Sequence, residues 1–133
     1  MKISGQKPFQ FIYREDLRTL PKSALDCVVN LHGGFAVDYD SDGRIFYGMP
    51  NLGLMSISSD LKSQDIIDLP DEISSLYFHG IKLFNIDNNK RLVLSANLDE
   101  KVIIVTLEGN IDFILSRPEF EEYKSKSKIF KPT

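Results

Sequence analysis

Two histidines, His32 and His79, are the residues of this chain whose type and spacing could most directly do chemistry. They are its only histidines, each is followed by a glycine, and they lie 47 positions apart. A neutral imidazole is a good ligand for zinc and similar divalent metals, but a catalytic zinc usually takes about three protein ligands. Two chains together would supply four histidines. The alternative is structural: each His-Gly packs at the start of a sheet, with its ring bonded to a neighbouring backbone carbonyl.

A second candidate metal site is a run of three aspartates. Asp38, Asp40 and Asp42, followed by Gly43, match the first half of a calcium-binding loop. The position that should carry a bidentate glutamate is Met49, and the segment has no helical pattern on either side. Asp and Gly are also the residues that build a tight hairpin between two strands. Calcium binding and a plain hairpin turn are therefore both considered for this segment.

The elements that would position these residues are short strands. Runs rich in β-branched and aromatic residues alternate with turns rich in Gly, Asn and Asp, which predicts an all-β fold. The segment 15–26 is broken by Pro21 and is predicted to be a loop. The predicted strands are 9–13, 35–39, 44–47, 54–57, 64–68, 81–86, 91–95, 102–107 and 112–115.

The strands belong to an internal repeat. The stretch 43–47 matches 90–94 at the same offset of 47 that separates the two histidines, and 65–67 matches 112–114, while Pro70 and Pro118 lie 48 apart. Polar residues that occur in both copies, Asn51 with Asn97 and Asp65 with Asp112, are interpreted as structural. A four-stranded unit of roughly 40–50 residues is typical of a β-propeller blade. We therefore predict tandem four-stranded antiparallel blades, forming a partial propeller.

Three segments follow from the repeat: an N-terminal half-blade and connector (1–31), a blade (32–78), and a second blade with a C-terminal tail (79–133). Propellers close with roughly 4–8 blades, so about two and a half blades leave apolar faces and sheet edges uncovered. Either copies of this chain associate to close the propeller, or the chain is a fragment of a longer one. Self-association is the expectation if the chain folds alone.

The sequence resembles the NHL-repeat type of six-bladed β-propeller, a group that includes the peptidyl-hydroxyglycine amidating lyases. The resemblance rests on His-Gly-Gly-Phe-Ala-Val-Asp at 32–38 with Asp-Gly-Arg-Ile-Phe-Tyr at 42–47. It rests also on His-Gly-Ile at 79–81 with Arg-Leu-Val-Leu at 91–94, and on the closing Phe-Lys-Pro-Thr at 130–133. In the amidating lyases, histidines at comparable inner positions hold a catalytic metal. The resemblance therefore implies a metal site at His32 and His79, with zinc or another divalent metal as the cofactor.

Three functions follow as hypotheses. The first is a propeller scaffold that binds a small ligand or metal at the channel mouth lined by His32 and His79. The second is a metal-dependent lyase or hydrolase on the same fold. The third is a protein-interaction module that uses its exposed blade edges. The sequence assigns no catalytic residue and leaves open whether the chain is an enzyme.

The composition limits the classes of partner that the chain is expected to bind. The chain has 133 residues, of which 42 % are hydrophobic, and a net charge of −3. This is enough for one domain with its own core, and the mild acidity gives no electrostatic reason to expect nucleic acid as a partner. No stretch is apolar enough to span a bilayer, and the start lacks a signal-peptide core. No membrane association and a cytoplasmic location are therefore expected.

Overall fold

The computed structural model describes residues 2–17, 20–27, 33–126 and 130–133. Its strands are β1 (Lys2–Gln6), β2 (Phe9–Tyr13), β3 (Phe35–Val37), β4 (Ile45–Met49), β5 (Gly53–Ile57), β6 (Gln64–Ile67), β7 (Gly80–Ile86), β8 (Asn89–Ala96), β9 (Lys101–Thr106) and β10 (Ile111–Ser116). Two short 3-10 helices span Glu15–Leu17 and Lys22–Cys27, and two short α-helices, α1 and α2, span Asp71–Ser74 and Glu121–Lys126.

The strands form two antiparallel four-stranded sheets that follow one another along the chain. Sheet 1 has the order β3-β4-β5-β6, and sheet 2 has the order β7-β8-β9-β10, so each is a simple meander joined by hairpin turns. The predicted fold class, all-β with tandem four-stranded antiparallel sheets, is confirmed. The arrangement is consistent with part of a propeller.

The internal repeat relates the two sheets strand by strand. Phe46 in β4 corresponds to Val93 in β8, at the predicted offset of 47. In the next strand of each sheet the offset is 48. Phe46 pairs with Ser56 and Val93 pairs with Ile104, so Ser56 corresponds to Ile104. The turn between β8 and β9 is one residue longer than the turn between β4 and β5, and this accounts for the shift.

One equivalence predicted from the sequence is wrong in its register. Asp65 pairs with Ser56, so its counterpart in sheet 2 is Phe113, which pairs with Ile104. Asp112, the residue proposed as the counterpart, lies at the irregularity between Ile111 and Phe113 in β10. A β-bulge of this kind adds one residue to a strand and moves every later side chain to the other face.

The main core lies between the two sheets. Phe46 and Leu54 of sheet 1 and Leu92 and Leu94 of sheet 2 are fully buried in one continuous cluster. The connector between the sheets, residues 68–79, contains α1 and adds buried residues to the same cluster. These connector residues are Ile73, Leu76 and Phe78. Because both sheets and their connector share one apolar cluster, each sheet depends on the other for burial.

A second, smaller core lies on the opposite side of sheet 1. Tyr47, Met49 and Met55 are buried there against Ala24, which belongs to the second 3-10 helix. The prediction that 15–26 is a loop misses the two 3-10 helices of this region. Pro21 does not prevent them, because a proline at the start of a helix lacks only an N–H that the first turn leaves unpaired.

The N-terminal hairpin of β1 and β2 stands apart from both sheets. The two strands pair from Lys2 with Tyr13 to Gln6 with Phe9, and all ten of their residues are exposed. β2 matches the predicted strand, whereas β1, whose segment contains Gly5, was not predicted. The boundaries of the three predicted segments stay predictions.

Candidate functional site

The first candidate site is the start of the innermost strands, where the sequence places the two histidines. His32 lies outside the described residues. His79 is partly buried and directly precedes β7. Its backbone N–H donates to the Ser95 carbonyl (2.9 Å), and its carbonyl accepts from the Gly34 N–H (3.0 Å). The backbone of His79 thus joins the start of sheet 2 to the start of sheet 1.

A cavity of about 330 Å³ opens beside this junction. Glycines and apolar residues form most of its wall, and Lys82, Ser95 and Thr133 are its lining residues with polar side chains. Its lining residues are Gly34, Phe35, Gly80, Ile81, Lys82, Val93, Ser95 and Thr133. Its volume is at the lower end of the range of small-molecule pockets, roughly 300–1,000 Å³.

The aspartates of the candidate calcium loop have other partners in the structure. Asp38 is buried, and its carboxylate accepts from the Lys90 ammonium of sheet 2. Asp42 accepts from the backbone N–H of Arg44 (3.0 Å), which lowers the pKa of its carboxyl, and it pairs with the Arg44 guanidinium (3.1 Å). Asp40 is exposed in the same turn. Within the described residues, no group of three or more histidine, cysteine, aspartate or glutamate side chains is arranged to hold a metal ion.

The second candidate site is the outer face of sheet 2, the side turned away from sheet 1. Register places on this side the alternate residues of each strand that do not join the core. The apolar residues of the outer face are Phe84, Ile86, Val93, Val102, Ile104, Phe113 and Leu115. All are partly or largely accessible, with 54 % of Phe113 and 45 % of Leu115 exposed.

The outer face has a buried counterpart in the same molecule. Leu115 corresponds to Ile67, which is only 8 % exposed, and Val93 and Val102 correspond to Phe46 and Leu54, which are fully buried. Those sheet 1 residues are covered by sheet 2. The same kind of face is therefore covered in sheet 1 and uncovered in sheet 2, within the described part of the chain.

The sequence carried a signal for this face that the histidine-centred interpretation did not use. In β9, Val102, Ile103, Ile104 and Val105 form an unbroken apolar run rather than an alternating one. A strand with one solvent-exposed face alternates apolar and polar residues, whereas an unbroken apolar run is typical of a strand that is covered on both faces. The run predicts a second covering layer over sheet 2.

Comparisons of the chain with protein-family models, with curated proteins and with solved structures find no match. The resemblance to NHL-repeat propellers therefore stays a prediction from the sequence. Across the described ranges, no helix has the length and apolar character needed to cross a membrane.

Proposed function

We propose that this chain is a propeller-type scaffold, of the NHL-repeat kind that its sequence resembles, and that it is completed by association with further copies of itself. The single observation that supports the proposal best is the outer face of sheet 2. Three of its apolar residues, Val93, Val102 and Leu115, occupy positions whose counterparts in sheet 1 are buried against sheet 2. Apolar faces of this kind on a soluble domain mark sites of association.

Self-association accounts for the outer face better than solvent exposure does. A single layer with apolar residues on both sides leaves one side in water, and stacked sheets solve this by interleaving side chains about 10 Å apart. The main core between sheets 1 and 2 shows that this chain already uses such stacking. Another sheet of the same kind would therefore bury the outer face.

The test is the mass of the full chain in solution, measured by sedimentation over a wide concentration range. We expect an oligomer, and we expect Leu115→Lys to shift it to the monomer, because the substitution places a charge in the proposed interface. Leu98→Lys is the matched control, since Leu98 is an exposed leucine in the turn between β8 and β9. A wild-type chain that stays monomeric at all concentrations would refute the proposal.

A small ligand or metal at the start of the innermost strands is the second candidate function. The cavity of about 330 Å³ at Gly34 and Gly80 favours a small ligand, because an apolar wall with a few polar groups suits a small molecule, although His79 is not one of its lining residues. A metal-dependent lyase or hydrolase would require a metal there, held by His32 and His79. Elemental analysis of the purified chain and of the paired His32→Ala/His79→Ala variant tests this. The candidate predicts bound metal in the wild type and none in the variant, and equal metal content in both would exclude histidine ligation.

A further inference from the structure

We infer that the association is head-to-tail: the outer face of sheet 2 packs onto the far face of sheet 1 in a second copy. The far face of sheet 1 is its side turned away from sheet 2. Its apolar residues are Phe35, Val37, Ile45, Tyr47, Met49, Met55, Ile57 and Ile66. The inference rests on the proposed self-association and specifies which two surfaces meet.

The interface inside one chain supplies the template. There, sheet 1 presents Phe46 and Leu54, and sheet 2 presents Leu92 and Leu94 in return. Strand pairing makes the outer face of sheet 2 equivalent to the first of these surfaces, because Val93 and Val102 correspond to Phe46 and Leu54. The outer face therefore resembles the side of sheet 1 that packs against sheet 2. We expect it to pack against a side like the one that carries Leu92 and Leu94.

The far face of sheet 1 is equivalent to that opposite side. Phe35 corresponds to Ile81, because Phe35 pairs with Tyr47 as Ile81 pairs with Leu94. Ile81 is only 4 % exposed, whereas Phe35 is 61 % exposed although its ring contacts Tyr47 at a centroid distance of 5.6 Å.

A second pair of positions shows the same contrast. Ile45 and Ile57 pair across β4 and β5 and are partly exposed. Their counterparts, Leu92 and Val105, pair across β8 and β9 and are completely buried. The far face thus has the residues of a buried side, but among the described residues no strand covers Phe35, Ile45 or Ile57.

The connector that accompanies such a contact is already present at the far face. In the internal interface, the Ile73 N–H donates to the Pro70 carbonyl (2.9 Å) and Ile73 is fully buried. On the far face, the Ala24 N–H donates to the Pro21 carbonyl at the same distance, and Ala24 is fully buried too. The same proline turn thus delivers one buried residue to each surface, and within the described ranges no sheet packs on the second.

The two surfaces differ, so the contact is heterologous. Packing the outer face of one copy on the far face of the next leaves one surface of each type free, and a closed ring satisfies both. Propellers close with roughly 4–8 blades, so about two to four copies of this two-sheet unit would complete one. Thr133 lies beside Gly80 at one end of the outer face, and the second copy would cover the remainder.

Complementation between two variants of the full chain tests this geometry. Leu115→Glu places a charge on the outer face of sheet 2, and Phe35→Glu places one on the far face of sheet 1. We expect each variant alone to sediment as a monomer. Mixed in equal amounts, they should form a one-to-one complex, because the intact far face of the first meets the intact outer face of the second.

The alternatives give different results. If Phe35→Glu still self-associates while Leu115→Glu does not, two outer faces meet symmetrically and the head-to-tail inference is wrong, although self-association stands. If the two monomeric variants fail to combine, the inference is also overturned. Both substituted residues are accessible, and Val102→Glu and Ile45→Glu repeat the test at independent positions should either first variant misfold. A monomeric wild type would instead refute the proposed function itself.

Discussion

At the scale of single residues, one contact that ties the two sheets together is the ion pair of Asp38 and Lys90. Asp38 directly follows β3 and is buried, while Lys90 lies near the start of β8 and is about three-quarters buried. A carboxylate in this position depends on its partner, because a charge taken out of water without compensation is costly. We therefore expect the pair to be needed for the end of β3 to pack beside the start of β8.

We predict that Lys90→Met lowers the free energy of unfolding by about 3 kcal/mol, since it leaves the Asp38 charge buried and unpaired. Urea denaturation of the full chain measures the change. The double variant Asp38→Asn/Lys90→Met should recover most of the loss, because it removes the unpaired charge. Lys62→Met, which removes an exposed pair with Asp60, should change stability by less than about 1 kcal/mol. Equal losses in the Lys90 and Lys62 variants would contradict the role given to the buried pair.

The residues show where sequence-based prediction stops. Asp40 and Asp42 lie in the turn between β3 and β4, where the hairpin interpretation places them, and calcium binding at 38, 40 and 42 stays a prediction. The partner of Asp38 could not be predicted, because Lys90 lies 52 positions away and reaches it only through the stacking of two sheets. His79 is found at the start of β7, in line with the repeat, whereas its relation to His32 stays a prediction.

At the scale of elements, the turn between β9 and β10 is fitted against sheet 1 through Gly109. Its φ is +93°, and a Cβ on this residue would lie 2.3 Å from the carbonyl oxygen of Asp68. Both facts require glycine, because L-residues rarely adopt this backbone conformation and a backbone oxygen cannot move aside easily. The turn of one sheet and the last strand of the other thus meet without a side chain between them.

Gly109→Ala is predicted to lower the free energy of unfolding by about 2 kcal/mol or more, because it adds a backbone clash to the conformational strain. Gly43→Ala provides the control: its φ of +73° carries similar strain, but the nearest atom to its added Cβ is the Ser59 side chain at 3.1 Å. The difference between the two variants in thermal or urea unfolding isolates the contact between the sheets. The same loss in both would show that backbone conformation alone sets the cost.

Elements were predictable where periodicity was strong. The nine strands expected from β-rich runs all occur, and their order along the chain gives the two meanders. The misses have local causes. Gly5 and the polar residues around it gave β1 no β-like pattern, and the short helices at 15–17, 22–27 and 71–74 are too brief to show helical periodicity. The bulge at Asp112 shifted the register in a way that matching of sequence alone does not show.

At the scale of the whole molecule, the two sheets form one cooperative unit. The main core contains residues of both sheets, and the connector adds Ile73, which is fully buried in the same cluster. The repeat nevertheless makes each sheet resemble an independent unit in the sequence. What the sequence shows as two copies is therefore expected to unfold as one body, because neither sheet can bury its apolar side alone.

Ile73→Ala tests this cooperativity. Because it removes most of a buried side chain, it should lower the free energy of unfolding by about 3 kcal/mol. Native-state hydrogen exchange should show opening free energies that are reduced by similar amounts in β4, β5, β8 and β9. Ile3→Ala, in the exposed hairpin of β1 and β2, should leave both sheets unchanged. If exchange accelerates in one sheet while the other keeps its protection, the sheets are separate folding units joined by a connector. Head-to-tail assembly would then build on single sheets, rather than on the two-sheet unit that carries one outer face and one far face.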